Sequence, residues 1–399
     1  MTQTESVRQR NRSGRAGAKQ KKAKTRTYMD YGIVFIVVFL CCFGLIMIYS
    51  ITQYTLAMND MTPTVYLRKQ AWSLAGGIIA MVAAMLISYR FIQKVSFIIY
   101  MFSICLIPLV LTPLGRGEIN GASRWLNLGG VSVQPSEIVK TAVIIYGAFI
   151  INKYKHLLES LIGTILISLV AVVPALLIFV ITKNMSSAIV IIGVFFLMMF
   201  VASKKTWYYV LAAGGLVGVA ATVVHMVNTR KIDPSSSFRF ARITAWLDPY
   251  ADSSGGGYQI LQSLYSIGSG GIFGKGLGHS IQKGLIPEAQ NDMIFAIICE
   301  ELGVFTGIAI ILMFIILVWR MLIIAKNADD LYGSILVVGV MSHIALQVVI
   351  NVAVVTNTIP NTGIPLPFIS YGGTSLLMFL VEVGLVLSVA RRIPCENQE

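Results

Sequence analysis

Long apolar runs free of charge constrain this chain more than any other feature. Residues 31–52 contain no charged side chain, and neither do residues 160–182. Each run is about as long as a helix that crosses a bilayer's hydrocarbon core. Backbone polar groups in hydrocarbon must find partners inside the protein, which leaves helices or a closed barrel. The runs are continuous rather than alternating, so they read as helices. Composition agrees: 56% of residues are hydrophobic and 12% charged, about half the charged fraction of a soluble domain. The expected fold class is all-α and polytopic.

The hydropathy pattern predicts ten spans, at 31–52, 71–88, 95–112, 136–152, 160–182, 185–203, 207–227, 293–323, 332–352 and 374–390. Much of the net charge of +13 lies in residues 1–28, from Arg8 to Arg26. This run reads as a cytoplasmic tail that fixes topology and touches anionic lipid, rather than as an arm for nucleic acid. The span behind it is too long, and lacks a small-residue cleavage site, to be a signal peptide. An even number of spans returns the C-terminus to the cytoplasm. Arg90 and Lys94, Lys153 and Lys155, Lys204 and Lys205, and Arg320 with Lys326 then fall inside. The expected division is a basic tail (1–28), a ten-helix membrane domain (29–392) and a short C-terminal tail (393–399). Cys41, Cys42, Cys105, Cys299 and Cys395 have no spacing that suggests a disulfide framework or a zinc site.

Three loops fall outside: Pro113 to Pro135, the long segment 228–291 between spans seven and eight, and Thr356 to Gly373. Cations there run against the orientation rule. Arg116, Arg124, Lys183, Arg230, Lys231, Arg239, Arg242, Lys275 and Lys283 either snorkel to headgroups or meet an anionic ligand such as a diphosphate. The Gly268–Gly278 stretch fails as a nucleotide-binding loop, because Ser269 and Gly276 occupy positions that need Gly and Ser or Thr. Its glycines suit close packing or a re-entrant turn. Within spans, Glu137 and Lys140 are spaced to pair. Glu300 and Glu301 lie two turns into span eight. His343, Gln347 and Asn351 form a polar stripe, and Glu382 lies in the last span. Such residues join helices by hydrogen bonds or relay protons.

Four stretches together resemble the shape, elongation, division and sporulation family, which includes FtsW, RodA and SpoVE. They are Gly121–Gly129 running into Gln134-Pro-Ser-Glu137; Trp246–Pro249 with Gly257-Tyr-Gln259 and Gln262-Ser263; Pro287–Ala296 with Glu300–Gly303; and Thr362–Gly373. The basic tail and the Met29-Asp-Tyr-Gly opening resemble FtsW and SpoVE more than RodA. The resemblance implies a glycosyltransferase that polymerises lipid II in the bacterial cytoplasmic membrane. It also implies a class B penicillin-binding transpeptidase partner among division or elongation proteins, and no nucleic acid. It places the essential carboxylate at Asp292. Where the family commonly has an aspartate, this chain has Asn184, so no acidic role is carried to that site.

Polymerisation displaces a lipid diphosphate from an anomeric carbon in a single inverting step. A carboxylate can take the acceptor hydroxyl's proton, and cations can stabilise the leaving group. Asp292 fills the first role, with Glu288 four residues earlier as fallback; read alone, Asp292 could equally be a helix cap. Asp248 and Asp252 read as turn residues. The substrate-binding set is Arg124, Arg242, Lys283, Glu288, Gln262 and Ser370, each in or beside a motif. Glu137, Lys140, Glu300, Gln347 and Asn351 are the structural intramembrane set. No residue is assigned to a metal, although a divalent cation (Mg or Mn) could also serve the diphosphate. A lipid transporter would need charge along the whole transbilayer path, and a non-catalytic scaffold would not need Asp292. Pro365 and Pro367 in Thr362–Gly373 predict irregular backbone forming a cavity wall close to Asp292.

Overall fold

In the computed structural model the described residues are 29–57, 64–117, 123–129, 131–229, 238–251 and 255–393. The basic tail 1–28, Arg230, Lys231, Asp252, Cys395 and most of the C-terminal tail lie outside them, as does the side chain of Arg239. Among the described residues, ten helices are long and apolar enough to cross a membrane. They are α1 (Tyr31–Ala57), α2 (Thr64–Leu86), α3 (Tyr89–Leu106), α4 (Pro135–Lys153), α5 (Leu161–Ile181), α6 (Met185–Ala202), α7 (Trp207–Asn228), α10 (Ile294–Lys326), α11 (Leu331–Val355) and α12 (Gly373–Ala390). Two further helices, α8 (Phe238–Leu247) and α9 (Tyr258–Gly270), lie in the long loop. Residues 113–135 hold a short antiparallel hairpin, β1 (Leu126–Leu128) with β2 (Val131–Val133).

α4, α11 and α12 are the most buried spans. α12 packs along α2, and α11 along α10, α6 and α4. Large apolar side chains such as Phe35, Ile79, Phe102, Ile162 and Trp319 stay exposed around the bundle, as lipid requires. α7 is exposed along most of its length. Tyr209 near its start is buried against the rings of Phe196 and Phe200.

The second and third helices begin earlier than their hydropathy suggested. Arg68 and Lys69 fall within α2, and Arg90 and Lys94 within α3. Charges near a helix end lower the local hydropathy without ending the helix. The end of the bundle opposite the long loop is laced by ion pairs: Arg90 with Asp329 (2.8 Å) and Asp330 (3.3 Å), and Arg320 with Asp30 (2.9 Å).

α10 is interrupted at Gly303, whose φ of 83° and ψ of 164° break the helix. Into this break folds the Gly-rich stretch that follows α9. Lys275 and Gly276 donate their N–H groups to the carbonyls of Glu300 and Glu301 (2.9 and 2.8 Å). Val304 and Phe305 donate to Gly271 and Ile272 (3.0 and 3.2 Å). A Cβ on Gly274 would stand 2.3 Å from Glu301 O, and one on Gly303 would stand 2.1 Å from Ile272 O. The glycines are therefore needed for backbone contact, and they serve a re-entrant packing rather than a phosphate.

Candidate active site

At the loop-bearing end, Asp292 sits two residues before α10. Its carboxylate takes its own backbone N–H and no bond from another described side chain. Burial pushes its pKa up to about 6. Glu288 adds to the rise, while the backbone N–H and Arg242 oppose it. Arg242, on α8, donates to Asn361 O (3.1 Å). Burial, then the nearby Arg124, moves its pKa below the usual guanidinium range, and Asp292 opposes that fall. Arg124, before β1, donates to Lys183 O (3.4 Å), and its Nε is buried without a partner. Burial also lowers its pKa. Two guanidiniums and one carboxylate, far apart in sequence, thus share one site.

The Thr362–Gly373 segment lies against Asp292 and walls it on one side. A Cβ on Gly363, whose φ is 69°, would stand 3.7 Å from Asp292 Oδ2. Asn351 of α11 donates to both Asp292 O (2.7 Å) and Ile364 O (2.9 Å). Tyr371 N donates to Gln290 O (2.9 Å), and Ser186 Oγ donates to Thr362 O. Thr362 Oγ1 is buried without a partner.

The other expected site residues divide. Glu288 is exposed, has a φ of 53°, and accepts from Gln290 and Asn291 (3.0 Å each). Its charge bears on Asp292, so it belongs to the neighbourhood. Ser370 is buried; its Oγ accepts from Leu366 N (2.8 Å), and its carbonyl from Gln70 Nε2 (3.3 Å). It holds the wall's own turn. Gln262 is partly exposed on α9, and no hydrogen bond joins it to the cluster among the described residues.

Lys283 is not brought to Asp292. It is buried, donating to Gly278 O (2.7 Å), Ser50 O (3.3 Å) and Glu301 (3.4 Å). Glu300 lies beside that pair, taking Lys275 (2.7 Å), Ser280 Oγ and Ile281 N (3.1 Å). Lys283 therefore neutralises a buried carboxylate, and its assignment to the diphosphate is corrected on that ground. Asn184 caps α6, accepting from Ser187 N (3.1 Å).

Of the intramembrane residues, Glu137, Lys140, Gln347, His343 and Glu382 form one chain across α4, α11 and α12, while Glu300 lies apart beside Lys275 and Asn351 bonds to backbone carbonyls. Lys140 pairs with Glu137 (2.8 Å), and both are buried. Oriented to satisfy its carboxamide, Gln347 accepts from Lys140 Nζ (2.7 Å) and His343 Nε2 (2.8 Å) and donates to Pro365 O (3.3 Å). His343 Nδ1 and Thr141 Oγ1 meet Glu382 (2.9 and 2.7 Å). Sequence reading missed Asn361, which accepts from Arg242 and donates to Gln259 (2.9 Å). It lies one residue before the motif that drew attention.

The fold and site define a multi-pass helical membrane protein whose loop-bearing end brings Arg242, with Arg124 beside it, to the Asp292 carboxylate. Over residues 31–393 the chain matches the cell cycle protein family of FtsW, RodA and SpoVE, and it belongs to that family. It is 39% identical to stage V sporulation protein E of Bacillus subtilis over 92% of this chain and 98% of that protein. It is 36% identical to a probable peptidoglycan glycosyltransferase FtsW of Trichlorobacter lovleyi, over 90% of this chain and 93% of that protein. A solved structure described as a peptidoglycan synthase complex, coordinating polymerization and crosslinking, contains a chain that superposes with a TM-score of 0.72 at 26% identity. The match covers 93% of this chain and 99% of that one. The rod shape determining protein RodA of Thermus thermophilus superposes at 0.62 and 25%, over 92% of this chain and 97% of that one.

Proposed function

We infer that this chain is a peptidoglycan glycosyltransferase that polymerises lipid II, with Asp292 as the base that deprotonates the acceptor hydroxyl. The observation that carries this is the Asp292 carboxylate: partly open, without a hydrogen bond from any described side chain, and facing Arg242, which in turn neighbours Arg124. A base raised toward neutrality holds a proton well enough to take it and weakly enough to release it. As the acceptor oxygen attacks the anomeric carbon, the bond to the diphosphate breaks, and its electrons leave with the diphosphate. The two guanidiniums suit that growing charge. One displacement inverts the carbon.

The basic residues at the opposite end support placing both termini in the cytoplasm and this site at the outer face of the cytoplasmic membrane. Relatives named as glycosyltransferases favour polymerisation over transport or scaffolding. The synthase complex supports a crosslinking transpeptidase of the class B penicillin-binding type as partner, within the division or elongation machinery. Asp292 and Glu288 beside the Arg242 guanidinium do not fit a metal held by the protein alone, and no cluster of three or more such ligands occurs among the described residues. The test is glycan chain formation from labelled lipid II by purified protein. Full activity in Asp292→Asn would remove the base from this reading.

A further inference from the structure

The wall beside Asp292 poses a backbone problem. Residues 359–366 have no regular secondary structure. Pro365 and Pro367 bring no N–H, and carbonyls at membrane depth still need donors. The same need arises at Asp292, which precedes the helix that follows it. A single side chain answers both. Asn351 Nδ2, on a fully buried carboxamide, donates one hydrogen to Asp292 O (2.7 Å) and the other to Ile364 O (2.9 Å). Four residues back on the same face, Gln347 reaches the next carbonyl, Pro365 O, and is itself held by Lys140 and His343.

We propose that Asn351 is a positioning residue for polymerisation: it clamps the backbone of Asp292 to the Thr362–Gly373 wall, so that base and wall move as one body. The proposal rests on Asp292 being the base. Asn351 stays away from the reacting atoms, because both of its hydrogens go to backbone carbonyls. It acts on the residue that carries the carboxylate, opposite Gly363. Without the clamp, Tyr371 N to Gln290 O (2.9 Å) still joins the stretch before α10 to the far end of the wall, but Asp292 itself is no longer held to Ile364. The carboxylate then gains solvent and loses its angle to the acceptor. Reacting groups displaced by about 1 Å lose on the order of a hundredfold in rate.

The experiment compares kcat, KM and the pH profile of glycan synthesis in wild type, Asn351→Leu and Asn351→Asp, with folding checked by thermal melting. Asn351→Leu is expected to lower kcat by about tenfold to a hundredfold with KM within about twofold. The acid limb of its kcat profile should move to lower pH, as the carboxyl becomes wetter. Should Asn351→Leu not fold, Asn351→Asp, which keeps the shape without amide hydrogens, is held to the same loss of kcat at constant KM; its own charge beside Asp292 removes the acid-limb expectation for that variant. In an Asp292→Asn background, removing Asn351 should cost nothing further. Unchanged kcat in folded protein, a loss confined to KM, an unmoved acid limb in Asn351→Leu, or additive losses would each overturn the clamp. An active Asp292→Asn would instead overturn the base. An inactive Asp292→Asn alongside a normal Asn351→Leu would overturn the clamp alone.

Discussion

Two groups of charge lie toward the loop-bearing end of this protein, and they are built on opposite rules. Around α10's break, Lys275, Lys283, Glu300 and Glu301 face each other with Ser50, Ser280 and backbone groups completing the set. Two cations answer two carboxylates. Around Asp292 the groups are not closed off by hydrogen bonds among the described side chains: the Asp292 carboxylate takes none, Glu288 takes only amide groups, Arg124 Nε has no partner, and Thr362 Oγ1 has none. The first group is saturated and holds the fold. The second has unmet electrostatic capacity, which a phosphorylated ligand would fill. Polar groups left without partners, rather than charge itself, separate the site from its support.

The sharpest break between the two comes from Asp292→Asn. It keeps shape and removes the base, so chain formation from lipid II should fall by about 10²- to 10⁴-fold, with melting unimpaired. The same kind of change in the saturated group should do the reverse. Lys283→Ala leaves Glu301 buried and unpaired, and should cost about 3–5 kcal/mol of stability. That loss is read from melting in detergent and from the yield of folded protein. Activity per folded molecule should change little. Replacing Lys283 and Glu301 together by Met should recover most of the stability.

Arg124→Ala and Arg242→Ala should each slow polymerisation by about tenfold to a hundredfold, as expected for one hydrogen bond to a charged group. Melting should shift little. If these variants unfold while Lys283→Ala polymerises poorly at full stability, the two roles are reversed.

The smallest effect is on pH. A base must be ionised, so activity should drop about tenfold per unit below pH 6, where the Asp292 carboxyl titrates. The sign for stability is opposite. A carboxyl raised in the folded state destabilises the fold where it is ionised, and that cost disappears as pH falls below the unfolded value of about 4. Asp292→Asn should therefore be more stable than wild type at pH 8, by about 1–3 kcal/mol. The difference should fade at pH 4 in melting curves.

Most of this architecture was legible in the chain. The ten spans follow from hydropathy, and Glu137 with Lys140 follows from helical spacing. Asp292, Arg124 and Arg242 stood beside recognisable motifs. Lys283 did too, and was misassigned, because a lysine in a Gly-rich loop reads the same whether it meets a ligand or a buried carboxylate. Its partner, Glu301, is 18 residues on, and only the return of the loop into α10 joins them. Asn361 was invisible for a similar reason: its service to Arg242 is rendered by a backbone carbonyl, which every residue has.

The interruption of α10 at Gly303 has a consequence for exchange with deuterated water. Amides in long loops normally exchange quickly, since brief local opening frees them. Here the N–H groups of Lys275 and Gly276 lie in a loop yet are bonded to Glu300 and Glu301, and those of Val304 and Phe305 are bonded back to the loop. These four protons can be released only by lifting the loop out of the helix and exposing two buried carboxylates. They should exchange as slowly as the neighbouring α10 amides, an island of protection within a stretch otherwise open to solvent.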